Sequence, residues 1–259
     1  KKMNKLITTL AAIFIATSAH AEITIVNPGS EEGAFRQVLT TIGQEVEHDF
    51  VQANNPVTAY SYIDGASTPV LTVWSSEWPG DADMQSPAIG ADNLVALMTY
   101  ETMMCSRQFA NLDAMAGQDV KIATWGSEPV AKFLTVLGIQ KDINFIVVPF
   151  GGSGSTTKGY IAGDADTVFT ITTRQGAIEE DSATSCIAFS ADGELGFRFV
   201  DAIATVGADT ATTDGLRTLV STLSNTAEWN DKFGGTVTYV GGTGANVFMF
   251  EEAVVNFSK

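Results

Sequence analysis

One segment limits the possible folds of this chain more than any other. Val148-Pro149-Phe150 reads as the end of an apolar strand, and Gly151-Gly152-Ser153-Gly154-Ser155-Thr156-Thr157 as a Gly/Ser/Thr turn entering a short helix. Gly163 closes the helix, and Asp164-Ala165-Asp166-Thr167-Val168-Phe169 leads into a second strand. Strand, helix and strand over so few residues describe a crossover unit of an α/β protein. A glycine-rich entry to a helix also leaves backbone N–H groups unpaired at the positive end of the helix dipole, where an anion is favoured.

The same alternation continues along the chain. Residues 22–27 read as a first strand broken by Pro28-Gly29, and Phe35, Val38, Leu39, Ile42 and Val46 follow at helical spacing. A loop is expected at Asn54-Asn55-Pro56, then an Asp64-Gly65 turn flanked by residues 60–63 and 69–74, with residues 70–74 a buried strand. A polar loop at 75–90 precedes two strands, 94–100 and 102–105. Residues 121–124 form a strand, and Trp125-Gly126-Ser127-Glu128-Pro129 opens a helix with Val130, Phe133, Leu134 and Leu137 on one face and Gly138 as its stop. Further strands are expected at 144–149, 167–171, 184–189 and 236–240, with helices around Leu216, Leu219, Val220 and Leu223 and over 227–233. The expected architecture is α/β with mainly parallel sheets.

Lys1, Lys2 and Lys5 ahead of the apolar residues 6–16, with Ala19-His20-Ala21 behind them, have the form of a cleavable secretion signal, so Glu22 is the expected mature start. The 14 basic and 30 acidic residues give a formal net charge of −16, and loss of three signal lysines makes it more negative still. That balance argues against nucleic acid or an anionic membrane as partner. Two cysteines, Cys105 and Cys186, allow one disulfide or two buried thiols, and His48 is the only histidine beyond the signal. Histidine-based metal sites and triads are therefore unsupported, and no cofactor is expected. Gly151 to Lys158 lacks the Gly-Lys-Ser/Thr of a phosphate loop, and Ser155 stands where a nucleophile elbow needs glycine. Clusters such as Asp164/Asp166 and Glu179/Glu180/Asp181 read as solvated surface.

The order of these blocks resembles the periplasmic solute receptors of tripartite tricarboxylate transporters, the TctC or Bug family. Ile23-Thr24-Ile25-Val26 with its Pro/Gly turn and helix, Asp64-Gly65 before the strand ending at Trp74, Trp125-Gly126-Ser127, and Val148-Pro149-Phe150-Gly151-Gly152 with residues 163–169 carry the likeness, closed by Gly241-Gly242-Thr243. The chain departs from the family in being shorter, in lacking the Gly-Gly pair of the first loop, and in having Phe35 where an Asp is common. Glu31 and Glu32 also place negative charge at that loop. The resemblance implies a two-lobed, type II-like periplasmic-binding-protein architecture with a ligand cleft between lobes. Lobe one would comprise residues 22–103 and 188–259, and lobe two residues 104–187. It implies Cys105 and Cys186 on the two connecting strands, close enough to bond. It further implies a monomeric periplasmic receptor for a small organic anion, a di- or tricarboxylate or related acid, delivered to membrane transport subunits.

Each candidate site residue has a plain structural alternative. Phe150, Gly151, Gly152, Ser153, Gly154, Ser155 and Thr156 form the leading ligand loop, or an ordinary connection with Ser155 as helix cap. Trp125, Gly126 and Ser127 offer a second helix N-terminus, or a cap alone. Ser30 and Gly33 in the first loop, Ser75 and Ser76 after the strand ending at Trp74, and Thr170 after Val168-Phe169 are further candidates. Arg174 is suited to pair a carboxylate bidentately, or to serve as a surface partner; Arg36 and Arg107 are weaker candidates for the same role. Trp74 and Trp125 suit an apolar wall or the core. Three other functions stay open: a phosphate or other oxyanion receptor, a secreted hydrolase with an unusual serine, and a receptor fold that has lost transport.

Overall fold

The computed structural model describes residues 22–78, 89–181, 185–189, 197–233 and 237–258; the expected signal at 1–21 and most of the 75–90 loop lie outside these. Among the described residues ten strands run β1 Ile23–Asn27, β2 His48–Gln52, β3 Val70–Ser75, β4 Leu94–Ser106, β5 Asp119–Trp125, β6 Asn144–Phe150, β7 Thr167–Ile171, β8 Ser185–Phe189, β9 Arg198–Val206 and β10 Val237–Gly241. The helices between them are α1 Ala34–Gly43, α2 Pro56–Asp64, α3 Glu128–Lys141, α4 Ser153–Ala162, α5 Gln175–Asp181, α6 Thr210–Leu223, α7 Ala227–Phe233 and α8 Gly244–Ser258.

β4 organises the sheet. Of its 13 residues all but Glu101 are buried, which suits a strand covered on both faces. Its first half, Leu94 to Glu101, pairs with β9 from Ala204 back to Arg198, and Leu97 to Tyr100 also pair with β10. Its second half, Thr102 to Ser106, pairs with β7 on one side and β8 on the other. β8 and β9 thus return alongside β4 in the opposite direction. Beyond this ladder, β2-β1-β3 extend the sheet past β9, and β5-β6 extend it past β7. The expected strands at 94–100 and 102–105 are therefore one continuous strand that changes partners at Glu101 without breaking.

The expectation of mainly parallel pairing is corrected by the same ladder. Parallel pairing links β1 to β2 and β3, and β5 to β6 and β7. Antiparallel pairing links β3 to β9 and β4 to four other strands. A strand that leaves one half of a sheet and a partner that returns to it must run in opposite directions.

Side chains alternate between two apolar layers, as the period of a strand requires. Ile23, Ile25, Leu71 and Val73 pack with Val38, Leu39 and Ile42 of α1 and with Leu216, Leu219, Val220 and Leu223 of α6. On the opposite face Val26, Val70 and Trp74 pack with Ala59 and Ile63 of α2 and with Val247 and Phe250 of α8. Each fully buried aliphatic side chain of this kind contributes about 1.5–3 kcal/mol. Under the second half of β4, Phe133, Phe169, Phe189, Phe197 and Phe199 form a ring cluster, with Phe133 and Phe197 stacked at 4.5 Å.

Local chemistry explains two further differences. Asn55-Pro56 begins a helix and is not only a loop: Thr58 N donates to Asn55 Oδ1 at 2.8 Å and Pro56 occupies the first turn. Residues 60–63 are accordingly helical. Gly138 does not stop α3, which continues to Lys141 and is closed by Asp142 in the left-handed conformation. Gly138 is instead a point of close approach, since a Cβ there would lie 2.6 Å from Ile143 O.

Cys105 and Cys186 lie directly opposite each other on β4 and β8 and are bonded, across a sequence separation of 81 residues. Closing a loop of that length stabilises by roughly 2–4 kcal/mol. A Cys105→Ala/Cys186→Ala variant is expected to melt roughly 5–12 °C lower than the parent by calorimetry. The denatured, unreduced protein should titrate no free thiol; two would show the bond is not formed.

Candidate functional site

Three loops at the C-terminal ends of parallel strands meet at one cleft, the usual position for a ligand in an α/β sheet. The loop after β1 is fixed by two side chains. Asn27 Nδ2 donates to Gln52 Oε1 at 2.8 Å, Gln52 Nε2 donates to Gly29 O at 2.7 Å, and Gly29 N donates to Asn27 Oδ1 at 3.1 Å. The chain then enters α1 with Gly33 as its cap residue. The loops after β5 and β6 enter α3 and α4 through Ser127 and Gly152. None of Gly33, Ser127 and Gly152 caps its helix with a side chain. First-turn N–H groups have no partner within their own helix, so three sets of donors remain at the cleft. Pro129 removes one of those in α3.

The cleft encloses about 700 Å³. Its wall includes Ser30, Gly33, Ser75, Trp125, Gly126, Ser127, Phe150, Gly151, Gly152 and Ser153 from the sequence-based candidates. Ser76, Gly154, Ser155, Thr156, Thr170 and Arg174 are not part of the wall. Ser76 is locked to β9, its N donating to Val200 O at 2.9 Å and its Oγ accepting from Val200 N at 3.2 Å. Ser155 Oγ and Thr156 Oγ1 both donate back to Gly152 O, at 3.0 and 2.9 Å. The turn therefore offers its backbone, not these hydroxyls. Thr170 is fully buried within β7. Arg36 stacks on Phe50 and Arg107 on Tyr160. Trp74 is buried in the core, whereas Trp125 forms part of the wall.

Arg174 braces the first loop from outside the wall. Arg174 Nη2 donates to Glu32 O, and Lys158 Nζ lies 2.5 Å from Glu32 Oε1. The missing Cβ of Gly154 lets Glu32 approach, for it would sit 3.0 Å from Glu32 O. Glu32 thus faces Lys158 and Arg174, which offset its part of the negative charge at the first loop. Phe150 is placed by another glycine: a Cβ on Gly159 would fall 2.1 Å from its ring.

Sequence reading missed the floor. Tyr100 and Phe199 are paired in register on β4 and β9, and Asp201 stands two residues beyond Phe199 on the same face. Phe35 packs edge-on against Trp78 at 5.6 Å and Tyr100 at 6.3 Å. Trp125 packs against Phe199 at 5.4 Å, and Trp125 Nε1 donates to Glu77 Oε2 at 2.7 Å. One signal was present: Asp201 is the single charge inside Phe199-Val200-Asp201-Ala202-Ile203, and charge in an apolar strand marks function or pairing.

Among the described residues the charged ones on the wall are Glu77, Glu128 and Asp201, and none is basic. Glu128 reaches Lys132 on its own helix at 2.7 Å. Asp201 is 2% exposed and its Oδ1 has no hydrogen-bond partner. Burial, reinforced by the charge of Glu77 and opposed by a bond from Ser75, raises its pKa well above the ordinary value. Burial raises Glu77 as well, against the bond from Trp125 and the nearby Ser127 hydroxyl; Ser127 Oγ itself lies outside hydrogen-bond geometry. Tyr100 is raised by burial and then by Asp201. Among the described residues no group of three or more His, Cys, Asp or Glu could hold a metal ion, and no helix is long and apolar enough to cross a membrane.

No family model matches this chain, and no curated protein matches it significantly. Solved structures do. A protein of R. palustris with adipate superposes at TM-score 0.72 with 10% identity, over 91% of this chain and 94% of its own. The periplasmic binding protein BugD superposes at 0.70 with 10% identity, over 92% and 95%. MatC from Rhodopseudomonas palustris with bound malate superposes at 0.69 with 13% identity, over 92% and 97%. The chain has the two-lobed fold of these periplasmic binding proteins, with the cleft between its lobes.

Asp201 makes stability depend on pH in a defined direction. Its folded pKa lies above the unfolded value near 3.8, so above that pH unfolding releases a proton and becomes easier as pH rises. Asp201→Asn is expected to match the parent near pH 3.5 and to melt roughly 2–4 °C higher at pH 8. An equal effect at both pH values, by thermal unfolding, would refute the assignment.

Proposed function

We propose that this protein is a receptor that captures a small carboxylate in the cleft and presents it to membrane transport subunits. The observation that carries the reading is the convergence of three helix N-termini, those of α1, α3 and α4, without side-chain caps on one cleft. Such ends bind carboxylates through backbone N–H groups and the helix dipole, with no need for a basic side chain. The likeness in fold to proteins holding adipate and malate supports the same ligand class. Neighbours in fold are binding proteins, and the receptor performs no chemistry of its own.

Ser30 and Gly33 would meet the ligand from one side, Trp125, Gly126, Ser127, Gly151, Gly152 and Ser153 from the other. Residues 22–103 and 188–259 would form one lobe and 104–187 the second, hinged where β4 changes partners. A secretion signal at residues 1–21 would place the protein in the periplasm.

Thermal unfolding against mono-, di- and tricarboxylates, amino acids and inorganic phosphate tests the reading. A carboxylate at 100 times its Kd should add about 2.7 kcal/mol, a rise of roughly 5–10 °C. A rise with phosphate alone, or with none of the compounds, would reject it. Gly159→Ala should keep the fold by circular dichroism while pushing the Phe150 ring into the cleft, and should weaken the best carboxylate by roughly tenfold in calorimetric titration.

A further inference from the structure

The wall of the cleft carries two kinds of group. One is the set of N–H groups at three helix ends. The other is a pair of carboxyls: Glu77, which lies close to Trp125 and Ser127 at the entry to α3, and the buried Asp201, with Tyr100 and Phe199 beside it on the β4–β9 face. Glu77 is held in place by Trp125 Nε1, but Asp201 Oδ1 has no partner although the residue is 98% buried and lines the cleft. A buried carboxylate oxygen left without a partner is costly unless a ligand completes it.

We propose that the ligand is a zwitterion, its carboxylate at the N-termini of α1, α3 and α4 and a cationic nitrogen at Asp201, beside Glu77 and among the rings of Trp78, Tyr100 and Phe199. The inference rests on the carboxylate-receptor reading and adds the identity of the second pole. A dicarboxylate would bring its second charge against Glu77 and Asp201, with no Lys or Arg among the described residues of the wall to receive it. An ammonium group there supplies the hydrogen-bond donor that Oδ1 lacks and offsets the charge of the acidic pair. The aromatic rings add attraction for a cation through their negative faces. An uncharged alkyl end would satisfy the rings but leave Oδ1 without a partner.

Calorimetric titration of the full-length protein at pH 7 with ligands of matched skeleton decides the matter. The probes are butanoate, succinate, 4-aminobutanoate and butylammonium, with the hexanoate, adipate, 6-aminohexanoate and hexylammonium set, and a series of α-amino acids. An amino carboxylate is expected to bind at least about tenfold more tightly than the alkyl carboxylate and the dicarboxylate of its length. Asp201→Asn, which is expected to fold at least as well as the parent, should reverse that order in favour of the dicarboxylate.

A dicarboxylate or alkyl carboxylate that equals or exceeds the amino carboxylates in the parent protein would overturn the inference and leave the carboxylate receptor intact. Alkylammonium binding as tight as the amino carboxylate would do the opposite, keeping the cationic pole and discarding the carboxylate one. An unchanged preference in Asp201→Asn would remove Asp201 from the site. Binding of none of the probes would sink both readings.

Discussion

Much of this structure depends on the backbone hydrogen bonding of a single strand. β4 is long enough to serve two halves of the sheet, giving its first half to β9 and β10 and its second to β7 and β8. Each buried backbone group must find a partner, so where β9 stops at Arg198, opposite Glu101, β8 takes over at Phe189, opposite Thr102. Because β4 and its returning partners are paired continuously, the loops after β1, β5 and β6 are set at a defined separation. The cleft is the space that this separation leaves.

What could be read from the residues, and what could not, follows from the range of the interactions involved. The crossover at β6, α4 and β7 was visible because its signals are local: a strand, a glycine entry, a left-handed glycine exit at Gly163 with φ of +90°. The opposition of Cys105 and Cys186 was expected only through the likeness to a known family, since nothing near either cysteine reports the other. β9 escaped sequence reading although it forms the floor of the cleft. Its partners Met98 and Tyr100 lie about a hundred residues away, and only the folded sheet shows that Asp201 and Phe199 share a face with them. The hydroxyls of Ser155 and Thr156 looked like ligand donors by type, but hydroxyls in a first helical turn readily bond a nearby carbonyl, here Gly152 O.

The cleft illustrates how a strongly acidic protein can favour an anion locally. Its net charge of −16 opposes an anionic ligand at long range, an effect that salt screens beyond about 8–10 Å. Helix ends act within the first turn and need no charged side chain. Lys158 and Arg174, which meet the first loop, are engaged by Glu32. Selectivity inside the cleft is then left to dipoles, rings and the carboxyls of Glu77 and Asp201.

The disulfide has a mechanical meaning beyond its effect on melting. Cys105 and Cys186 are bonded at one rung of the β4–β8 ladder, and a slip of one residue along such a ladder would turn every side chain to the opposite face. A covalent pin at that rung forbids sliding. β4 and β8, the strands that leave and return on this side of the sheet, can therefore bend and twist together but never shear past one another.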